Sequence, residues 1–234
     1  MVKSIKTALL AIIFSFNLAA FADNNDYESD YFEDEGRLLF KVRGSAISTK
    51  GKQTGLPAPI NANAVSVGPF VRNGYGFDTA AAIFFNDNMA VEMSLGINVL
   101  KTKYSSLINI ANNYNGTPPS KGKKKSVFMV PLSLTGQYHV APFGAIRPYV
   151  GAGYHVAYFF TKAKQFKLKN GHGFVAQIGV DLVAKDDTII TFDIRQFFSS
   201  TRITYRSGLV GNTSVTSKAK INPLLFSVGV GFKL

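Results

Sequence analysis

Apolar and polar residues alternate with a period of two along most of the chain after Gly36. Such alternation is typical of β-strands, in which successive side chains point to opposite faces. The clearest example is residues 89–100, where Met, Val, Met, Leu, Ile and Val alternate with Ala, Glu, Ser, Gly, Asn and Leu. Eight segments follow the pattern, namely 38–43, 74–85, 89–100, 127–140, 149–160, 174–183, 190–195 and 224–234. The sequence therefore predicts an all-β fold of eight strands, with no helix of comparable length after residue 22.

The polarity of the two strand faces distinguishes a membrane barrel from a soluble one. In a soluble barrel the apolar face lines the interior, whereas in a membrane barrel it meets lipid and the polar face turns inward. The apolar faces here carry no charge, over lengths close to the roughly 9–11 residues that cross a bilayer. The opposite faces carry Gly, Ala, Ser and isolated charges, which suit a narrow interior better than a solvated surface. We therefore expect the strands to cross a membrane.

The connections between these strands alternate in length. Tight turns are predicted at 86–88, 141–146 and 185–187, and longer polar stretches lie near 48–63, 101–126, 161–171 and 199–217. Short turns on one side and long loops on the other are typical of outer-membrane barrels. The prediction is an eight-stranded antiparallel transmembrane β-barrel with short periplasmic turns, long extracellular loops and both termini on the periplasmic side.

The first 22 residues have the features of a secretory signal peptide. Lys3 and Lys6 precede an apolar run, and Ala20-x-Ala22 is a small-residue cleavage pattern. The alternative, a membrane-anchoring helix, would need a longer apolar stretch. Residues 23–35 contain seven acidic residues and no basic one, so they are expected to form an acidic, solvated tail. The barrel then spans residues 36–234, and export places it in the bacterial outer membrane.

Composition limits the chemistry that the chain can perform. It has 234 residues, no Cys and three His, which excludes disulfides, thiolate metal sites and cysteine nucleophiles. His172 with Ser199 or Ser200 could stand near the outer rim, as in lipid-modifying barrels, but no spacing supports such a site. We therefore expect no enzyme activity, no cofactor and no metal.

Charge is unevenly distributed after Gly36, where 24 residues are basic and 7 acidic. Sixteen basic residues fall in the long loops or at the adjoining strand edges: Lys50, Lys52, Lys101, Lys103, Lys121, Lys123, Lys124, Lys125, Lys162, Lys164, Lys167, Lys169, Arg202, Arg206, Lys218 and Lys220. Because a field of one sign attracts anions, lipopolysaccharide phosphates or anionic ligands are expected partners. Ordinary solvated loop lysines are the alternative. No nucleic-acid partner is expected for an exported barrel.

Charged and polar residues on the inward faces form a predicted lumen cluster. Its members are Lys41, Arg43, Glu92, Arg147, His155, Gln177, Asp181, Asp193 and Arg195. An eight-stranded barrel has an interior about wide enough for side chains or one small ligand. Unpaired charges there would be costly, so we expect salt-bridged packing of a narrow lumen. Orientation of a ligand by His155 and Gln177 is the alternative.

Apolar residues within the polar loops form another candidate group. They are Leu56, Leu107, Ile108, Ile110 and Phe166. Exposed apolar groups of this kind often mark a binding surface, so they could form a funnel for an apolar ligand. They could equally be small cores that stabilise the loops.

Four segments resemble the OmpW family of outer-membrane proteins. They are 74–95 (GYGFDTAAAIFFNDNMAVEMSL), 131–160 with RPYVGAG at 147–153, 173–192 with GVD at 179–181, and 222–232 (NPLLFSVGVGF). The similarity extends over nearly all of the chain after Gly36, in the same order. It implies an eight-stranded barrel with a narrow, largely apolar passage for small hydrophobic molecules, and roles in stress adaptation, host contact or as a receptor for toxins and phage.

The C-terminal strand departs from the family pattern. The barrel-assembly machinery is expected to read its apolar face, which is formed by Phe226, Val228, Val230, Phe232 and Leu234. The last residue is Leu234, where the resemblance implies an aromatic residue. The chain also has no Trp, so Phe and Tyr would have to form any interfacial belt.

The expected function is passage of small hydrophobic molecules through the lumen or a lateral opening. The expected partners are these solutes, outer-membrane lipid with its lipopolysaccharide, and the barrel-assembly machinery. The alternative is a non-conducting structural or adhesive barrel whose cationic loops contact lipopolysaccharide or host surfaces.

Overall fold

The computed structural model describes residues 38–54, 71–102, 104–113, 115–118, 126–140, 145–161, 166–184, 188–210, 212 and 214–234. Their elements are β1 (Leu38–Thr54), β2 (Val71–Phe84), β3 (Met89–Thr102), α1 (Tyr104–Asn113), β4 (Ser126–His139), β5 (Ile146–Thr161), β6 (Phe166–Leu168), β7 (Gly171–Val183), β8 (Thr188–Tyr205) and β9 (Val215–Lys233). The predicted signal peptide, acidic tail, Leu56 and turn 185–187 lie outside the described residues. So do Lys103, Lys121, Lys123, Lys124, Lys125, Lys162 and Lys164.

Eight of the strands close into an antiparallel barrel. The pairing order around the ring is β1, β2, β3, β4, β5, β7, β8 and β9, and β9 returns to β1. The short strand β6 pairs with residues 203–205 at the C-terminal end of β8. The predicted eight-stranded antiparallel barrel is confirmed. A closed ring has no unpaired edge, so every strand of the ring has a hydrogen-bonded neighbour on both sides.

The two faces of the strands point as the alternation predicts. Phe77 of β2 is 50% exposed and Phe174 of β7 is 71% exposed, whereas Asp78 and Val175 beside them are 3% and 2% exposed. The apolar face therefore covers the outside of the barrel, and the polar and small residues turn inward. This is the arrangement of a membrane barrel.

A tight turn joins β2 to β3. The Asn86 Oδ1 atom accepts hydrogen bonds from the backbone N–H groups of Asn88 (3.0 Å) and Met89 (2.7 Å), a local bond that suits Asn to turns. The predicted turn at 86–88 is confirmed. We call this end of the barrel the short-turn end and the opposite end the loop end.

Several strands are longer than the hydrophobic pattern indicates. β1 continues to Thr54, β8 continues to Tyr205 and β9 begins at Val215, so 48–54 and 199–205 are strand where loop was predicted. Hydrogen bonding between backbones maintains these extensions, with Thr54 opposite Lys218 and Tyr205 opposite Val215. Apolar alternation does not reveal the extension of β8 because its outward residues, Ser200, Arg202 and Thr204, are polar.

The helix α1 is the one element type that the sequence prediction missed among the described residues. It is only ten residues long and lies in a polar connection. Its buried residues Leu107, Ile110 and Ala111 have the i, i+3, i+4 spacing of one helix face. Over the described ranges, no helix is long and apolar enough to cross a membrane.

Candidate functional site

The barrel interior consists of three layers along its axis. Nearest the short turns is a small apolar layer made of Leu39, Ala82, Phe84, Ala90 and Ile189. The middle is a charged layer, called here the ionic layer, formed by Lys41, Arg43, Asp78, Glu92, Asp181, Asp193 and Arg195. Towards the loop end lies a large apolar group, described below. The interior therefore differs from the largely apolar passage expected, because its middle is ionic.

Arg43 lies at the centre of the ionic layer. Its Nε donates to Asp78 Oδ1 at 2.8 Å, and its Nη2 donates to Glu92 Oε1 at 3.0 Å. These three side chains are on β1, β2 and β3, which are consecutive around the ring. A fork of several donors between two carboxylates is the geometry for which Arg is best suited.

Arg195, on β8, binds the carboxylate of Asp78 from the opposite side of the ionic layer. Its Nη2 donates to Asp78 Oδ2 at 2.6 Å and its Nε to Asp193 Oδ1 at 2.7 Å. Its Nη1 donates to Ser94 Oγ at 3.1 Å, which connects β8 with β3 across the barrel. The two arginines thus share Asp78, so the network extends across the barrel interior.

Tyr149 and Lys41 complete the layer on a third side. The Tyr149 hydroxyl donates to Asp193 Oδ2 at 2.9 Å, and Lys41 Nζ lies 4.6 Å from the centre of the Tyr149 ring. Lys41 Nζ also lies 2.9 Å from Asp181 Oδ2. A Cβ atom at Gly179 would overlap the end of the Tyr149 ring, so this glycine creates the space that the ring occupies.

Amide side chains connect the carboxylates to the short-turn end. Gln177 Nε2 donates to Asp193 Oδ2 at 2.7 Å, and Gln137 Nε2 donates to Gln177 Oε1 at 3.1 Å. His139 lies 3.2 Å from Gln137 Oε1, and its ring stacks on Tyr149 with centroids 4.9 Å apart. His139 therefore lies between the polar groups of the ionic layer and the apolar layer nearest the short turns, where its ring contacts Phe84.

The ionic layer, together with Arg147 at its edge, is electrically balanced and closed to water. Four cations (Lys41, Arg43, Arg147 and Arg195) and four carboxylates (Asp78, Glu92, Asp181 and Asp193) are buried in the interior. Lys41 and Arg43 are 0% exposed and Glu92 is 1% exposed, so water does not reach these side chains. Buried charges persist in this way when each is paired and hydrogen-bonded.

Most of the predicted lumen cluster meets in this layer. Seven of its members lie in the network just described: Lys41, Arg43, Glu92, Gln177, Asp181, Asp193 and Arg195. Arg147 is the register partner of Asp181 at the lower edge. His155 lies nearer the loop end, where its ring meets Phe197 edge-on at 4.8 Å. His155 is therefore placed in apolar surroundings rather than among the charges.

The predicted lumen cluster omitted several residues that the network uses. Asp78, Ser45, Ser94, Tyr149 and Gln137 all bond within the layer. Each has inward parity in its strand, so parity was the available signal. The position of each residue along the barrel axis could not be read from the sequence, because it depends on the register between strands.

Above the ionic layer lies the group that we call the upper apolar cluster. It consists of Ile47, Val71, Leu100, Leu107, Ile110, Ala111, Val127, Met129, Ala157, Phe159, Phe166, Leu168, Val175, Phe197, Ile203, Tyr205, Leu209, Val210, Val215, Ala219, Ile221 and Leu225. Three of the predicted funnel residues belong to it: Leu107, Ile110 and Phe166, which are 4%, 0% and 1% exposed. Ile108 is only partly buried.

The loops hold α1 over this cluster. The Thr117 N–H donates to the Gly208 carbonyl at 2.7 Å, and the Gly116 N–H donates to the Ala111 carbonyl at 2.8 Å. Gly208 has a φ of +95°, which favours glycine, and a Cβ atom at Gly116 would overlap the Leu209 carbonyl. The chain after α1 is thus fixed directly against the connection between β8 and β9.

Two buried polar atoms face this apolar region without a hydrogen-bond partner. They are His155 Nδ1 and Ser199 Oγ, in residues that are each 2% exposed. Both residues are register partners of Gly173, one from β5 and one from β8, so they flank a position without a side chain. Among the described residues, no group of three or more His, Asp or Glu side chains could hold a metal ion.

Prolines interrupt the hydrogen-bond ladder at two places in the barrel wall. Between β3 and β4 the pairing skips Gly96 and Ile97, opposite Val130 and Pro131, with the same register on either side. Between β8 and β9 it skips the positions around Pro223. Proline has no N–H, so each strand loses one donor to its neighbour.

Only one of these interruptions is bridged by side chains among the described contacts. At Pro223, Gln196 Nε2 donates to the Phe197 carbonyl (2.9 Å), and Asn222 Oδ1 accepts from the Ser199 N–H (3.2 Å). At Pro131 the two inward residues are Pro131 itself and Gly96, whose Cβ atom would lie 3.4 Å from Pro131 Cγ. We call the β3–β4 interruption the Pro131 seam.

The family is established by a comparison over the length of the barrel. The family model described as "OmpW family" matches residues 34–234. The chain belongs to the OmpW family. The resemblance inferred from segments 74–95, 131–160, 173–192 and 222–232 is confirmed. In this OmpW-family barrel the short-turn end is periplasmic and the loop end extracellular.

Relatives place the chain in the outer membrane. A Rickettsia conorii protein named an outer membrane protein is 51% identical over 209 residues, which cover 89% of this chain and 86% of that protein. Outer membrane protein AlkL of Ectopseudomonas oleovorans is 26% identical over 155 residues, or 64% of this chain and 62% of AlkL. The dibenzothiophene metabolism operon protein PahQ of Pseudomonas aeruginosa is 26% identical over 105 residues, or 43% of this chain and 48% of PahQ.

Solved structures agree with the fold. The outer membrane protein OprG of Pseudomonas aeruginosa superposes with a TM-score of 0.64 at 14% identity, covering 86% of this chain and 96% of OprG. AlkL in lipid bilayers superposes with a TM-score of 0.57 at 22% identity, covering 90% of this chain and 97% of AlkL. The chain is therefore an outer-membrane β-barrel that lies in the lipid bilayer.

Proposed function

We propose that this barrel lets small apolar molecules cross the outer leaflet of the outer membrane. The observation that carries the proposal is the upper apolar cluster, which faces the extracellular end and lies above the closed ionic layer. A membrane barrel needs its apolar residues on the outside, so a large apolar interior at one end requires another explanation. Affinity for apolar solutes is the explanation that we propose, and a core that only holds α1 and the loops in place is the alternative.

The relatives support the same solute class. The name of PahQ associates that protein with metabolism of dibenzothiophene, an apolar aromatic compound, and the matched region covers 43% of this chain. The two unpartnered atoms, His155 Nδ1 and Ser199 Oγ, would offer a hydrogen bond to a solute that carries one hydroxyl or carbonyl group. The proposed solutes are therefore apolar molecules with few polar groups.

The proposed route leaves the barrel sideways. The ionic layer would impose a large desolvation cost on an apolar solute that continued towards the periplasm. The Pro131 seam extends from the level of Asp78, which pairs with Gly96, up to Met129 of the upper apolar cluster, which pairs with Asn98, so it lies at the boundary between the two layers. A solute that enters past Leu107 and Ile110 would then pass between β3 and β4 into lipid.

Uptake of an apolar fluorescent solute by liposomes tests the proposal. The refolded barrel should accelerate uptake over protein-free liposomes, and Leu107→Asp with Ile110→Asp should reduce the acceleration. A verified folded barrel that gives no acceleration would refute transport. That result would favour the second candidate, a non-conducting surface barrel, which the closed ionic layer supports.

A cross-link tests the lateral route separately. The chain has no Cys, so the pair Leu95→Cys and Leu132→Cys, directly opposed next to the seam, can be oxidised alone. Oxidation should slow uptake and reduction should restore it. The matched control is Val150→Cys with Ile178→Cys, opposed across the continuous β5–β7 ladder, where oxidation should change nothing. Equal uptake before and after oxidation of the seam pair would refute the lateral route and leave transport standing.

Assembly is expected to depend on the outer face of β9. Phe226, Val228, Val230, Phe232 and Leu234 all point outward and are 41–67% exposed. We propose that the barrel-assembly machinery reads this apolar face at the end of the chain.

A further inference from the structure

The outer wall of the barrel carries a cluster of cations near the loop end. Arg202 of β8 and Lys218 of β9 are direct register partners, and Lys220 lies two residues along β9 on the same face. All three side chains are exposed, while Ser217, Ala219 and Ile221 between and beside them are at most 3% exposed. These cations therefore point away from the barrel, towards its surroundings.

Strand β6 adds a fourth cation to the same surface. In β7 the even-numbered residues point outward, but in β6 Phe166 and Leu168 point inward and Lys167 points outward. The residues between the strands, 169–170, interrupt the pairing and shift the alternation by one. Lys167 is the register partner of Thr204, two residues from Arg202. We call Lys167, Arg202, Lys218 and Lys220 the wall cation cluster.

This arrangement is unfavourable without an anion. Like charges directly opposite each other on neighbouring strands destabilise a sheet. The acidic residues that the structure describes lie in the ionic layer or in the periplasmic turn, at Asp78, Asp87, Glu92, Asp181 and Asp193. Within the described part of the chain, no salt bridge to an acidic residue balances the wall cation cluster.

The height of the cluster matches the edge of the membrane. On β8 the last large apolar residue facing outward is Phe198, and Arg202 is four residues further towards the loop end. On β9 Lys220 is four residues beyond Leu224. With a rise of about 3.3 Å per residue and a tilt near 40°, four residues correspond to roughly 10 Å along the membrane normal. That is the depth of lipid headgroups.

We propose that the wall cation cluster binds the phosphates of lipopolysaccharide in the outer leaflet. A phosphorylated glycolipid would seat its acyl chains against the apolar wall below, with Phe198 and Phe226 exposed there, and its phosphates between Arg202, Lys218 and Lys220. Arg is suited to bidentate contact with phosphate, and Lys adds point charges. The site is on the outside of the barrel and is independent of the transport proposal.

Native mass spectrometry of the refolded barrel with purified lipid A tests this site. The variant Arg202→Gln with Lys218→Gln should bind diphosphorylated lipid A at least tenfold more weakly, since each cation near an anionic surface contributes about a factor of five. The matched control, Arg72→Gln with Lys101→Gln, removes two exposed cations on the opposite side of the ring and should bind as the unmodified chain does. Gel mobility before and after heating checks that each variant is folded.

The lipid series identifies the ligand. Binding should weaken from diphosphorylated to monophosphorylated to dephosphorylated lipid A. Equal loss in the two double variants, or binding that ignores the phosphates, would overturn the proposal. So would equal binding of phosphatidylglycerol, which would indicate any anionic lipid, or tighter binding of soluble heparin fragments, which would indicate a sulfated polysaccharide.

Discussion

Arg43 can occupy the centre of the barrel because its register partner on β9, Gly229, has no side chain. A Cβ atom at Gly229 would lie 2.8 Å from Arg43 Cγ, so that glycine admits the stem of the arginine. The guanidinium then reaches the buried carboxylates of Asp78 on β2 and Glu92 on β3. At this scale the parity of each inward residue was predictable from the sequence. The partners were not, because Asp78 and Tyr149 reach their positions through strand register.

Replacing Gly179 tests the fit of Tyr149 in the ionic layer. Gly179→Ala places a methyl group where the Tyr149 ring ends, so the hydroxyl can no longer reach Asp193. Overpacking of this kind costs about 1–3 kcal/mol, which urea unfolding from lipid vesicles can measure. Gly44→Ala is the matched control, since its Cβ atom would meet its nearest neighbour, the Val228 carbonyl, at 4.0 Å. Equal stability of the two variants would contradict the assigned packing.

The two prolines that interrupt the hydrogen-bond ladder differ in their surroundings. Pro131 and Pro223 each remove an N–H from the ladder, but polar side chains from Gln196 and Asn222 satisfy the backbone only near Pro223. Backbone groups that face lipid must be satisfied within the protein. The barrel wall is therefore bridged by side-chain hydrogen bonds near Pro223 and weaker at the Pro131 seam. The two prolines were visible in the sequence, whereas the bridging contacts depend on the pairing of β8 with β9.

Restoring the missing donor at the Pro131 seam should slow transport. Pro131→Ala returns an N–H opposite the Gly96 carbonyl, and one hydrogen bond contributes about 0.5–1.5 kcal/mol. Uptake of the apolar solute by liposomes should therefore fall by roughly two- to tenfold. Pro223→Ala restores a donor where side chains already bridge the wall, so its uptake should stay at the unmodified rate. An equal effect of both substitutions would argue against the seam as the exit.

The helix α1 and the strand β6 are elements that hydrophobic periodicity did not predict. In each, only two or three residues carry the pattern: Leu107, Ile110 and Ala111 in α1, and Phe166 and Leu168 in β6. Two or three apolar positions are compatible with both a helical and a strand period, so they do not identify the element. Their conformation depends on the apolar residues that they cover, and those residues come from distant strands.

At the scale of the whole molecule, the proposed functions belong to different regions. The ionic layer fills the middle of the barrel with paired, buried charges, and the upper apolar cluster is the proposed site for apolar solutes in the extracellular half. The outer wall carries the cations that we propose bind lipopolysaccharide phosphates. A layered interior of this kind would let apolar molecules reach lipid without conducting ions.

Ion conductance tests the closed layer. The unmodified barrel in a planar bilayer should show no open-channel steps, because the charges that fill its centre are paired and dry. Arg43→Ser with Glu92→Ser removes two large interacting side chains without changing the net charge, and water should then enter and carry current. Steady conductance of the unmodified, folded barrel would contradict closure by the ionic layer.

The sequence by itself determined the eight strands of the ring, their inward and outward faces, and the tight turn at Asn86. These features follow from local rules, since alternation with a period of two and the turn preference of Asn need no distant partner. The tertiary structure alone decided which charges meet, which proline gap is bridged and which cations share a wall. Those outcomes depend on register between strands far apart in the chain, as between Lys41 and Asp181, which are 140 residues apart. A shift of one residue in that register would exchange every inward side chain of a strand for an outward one.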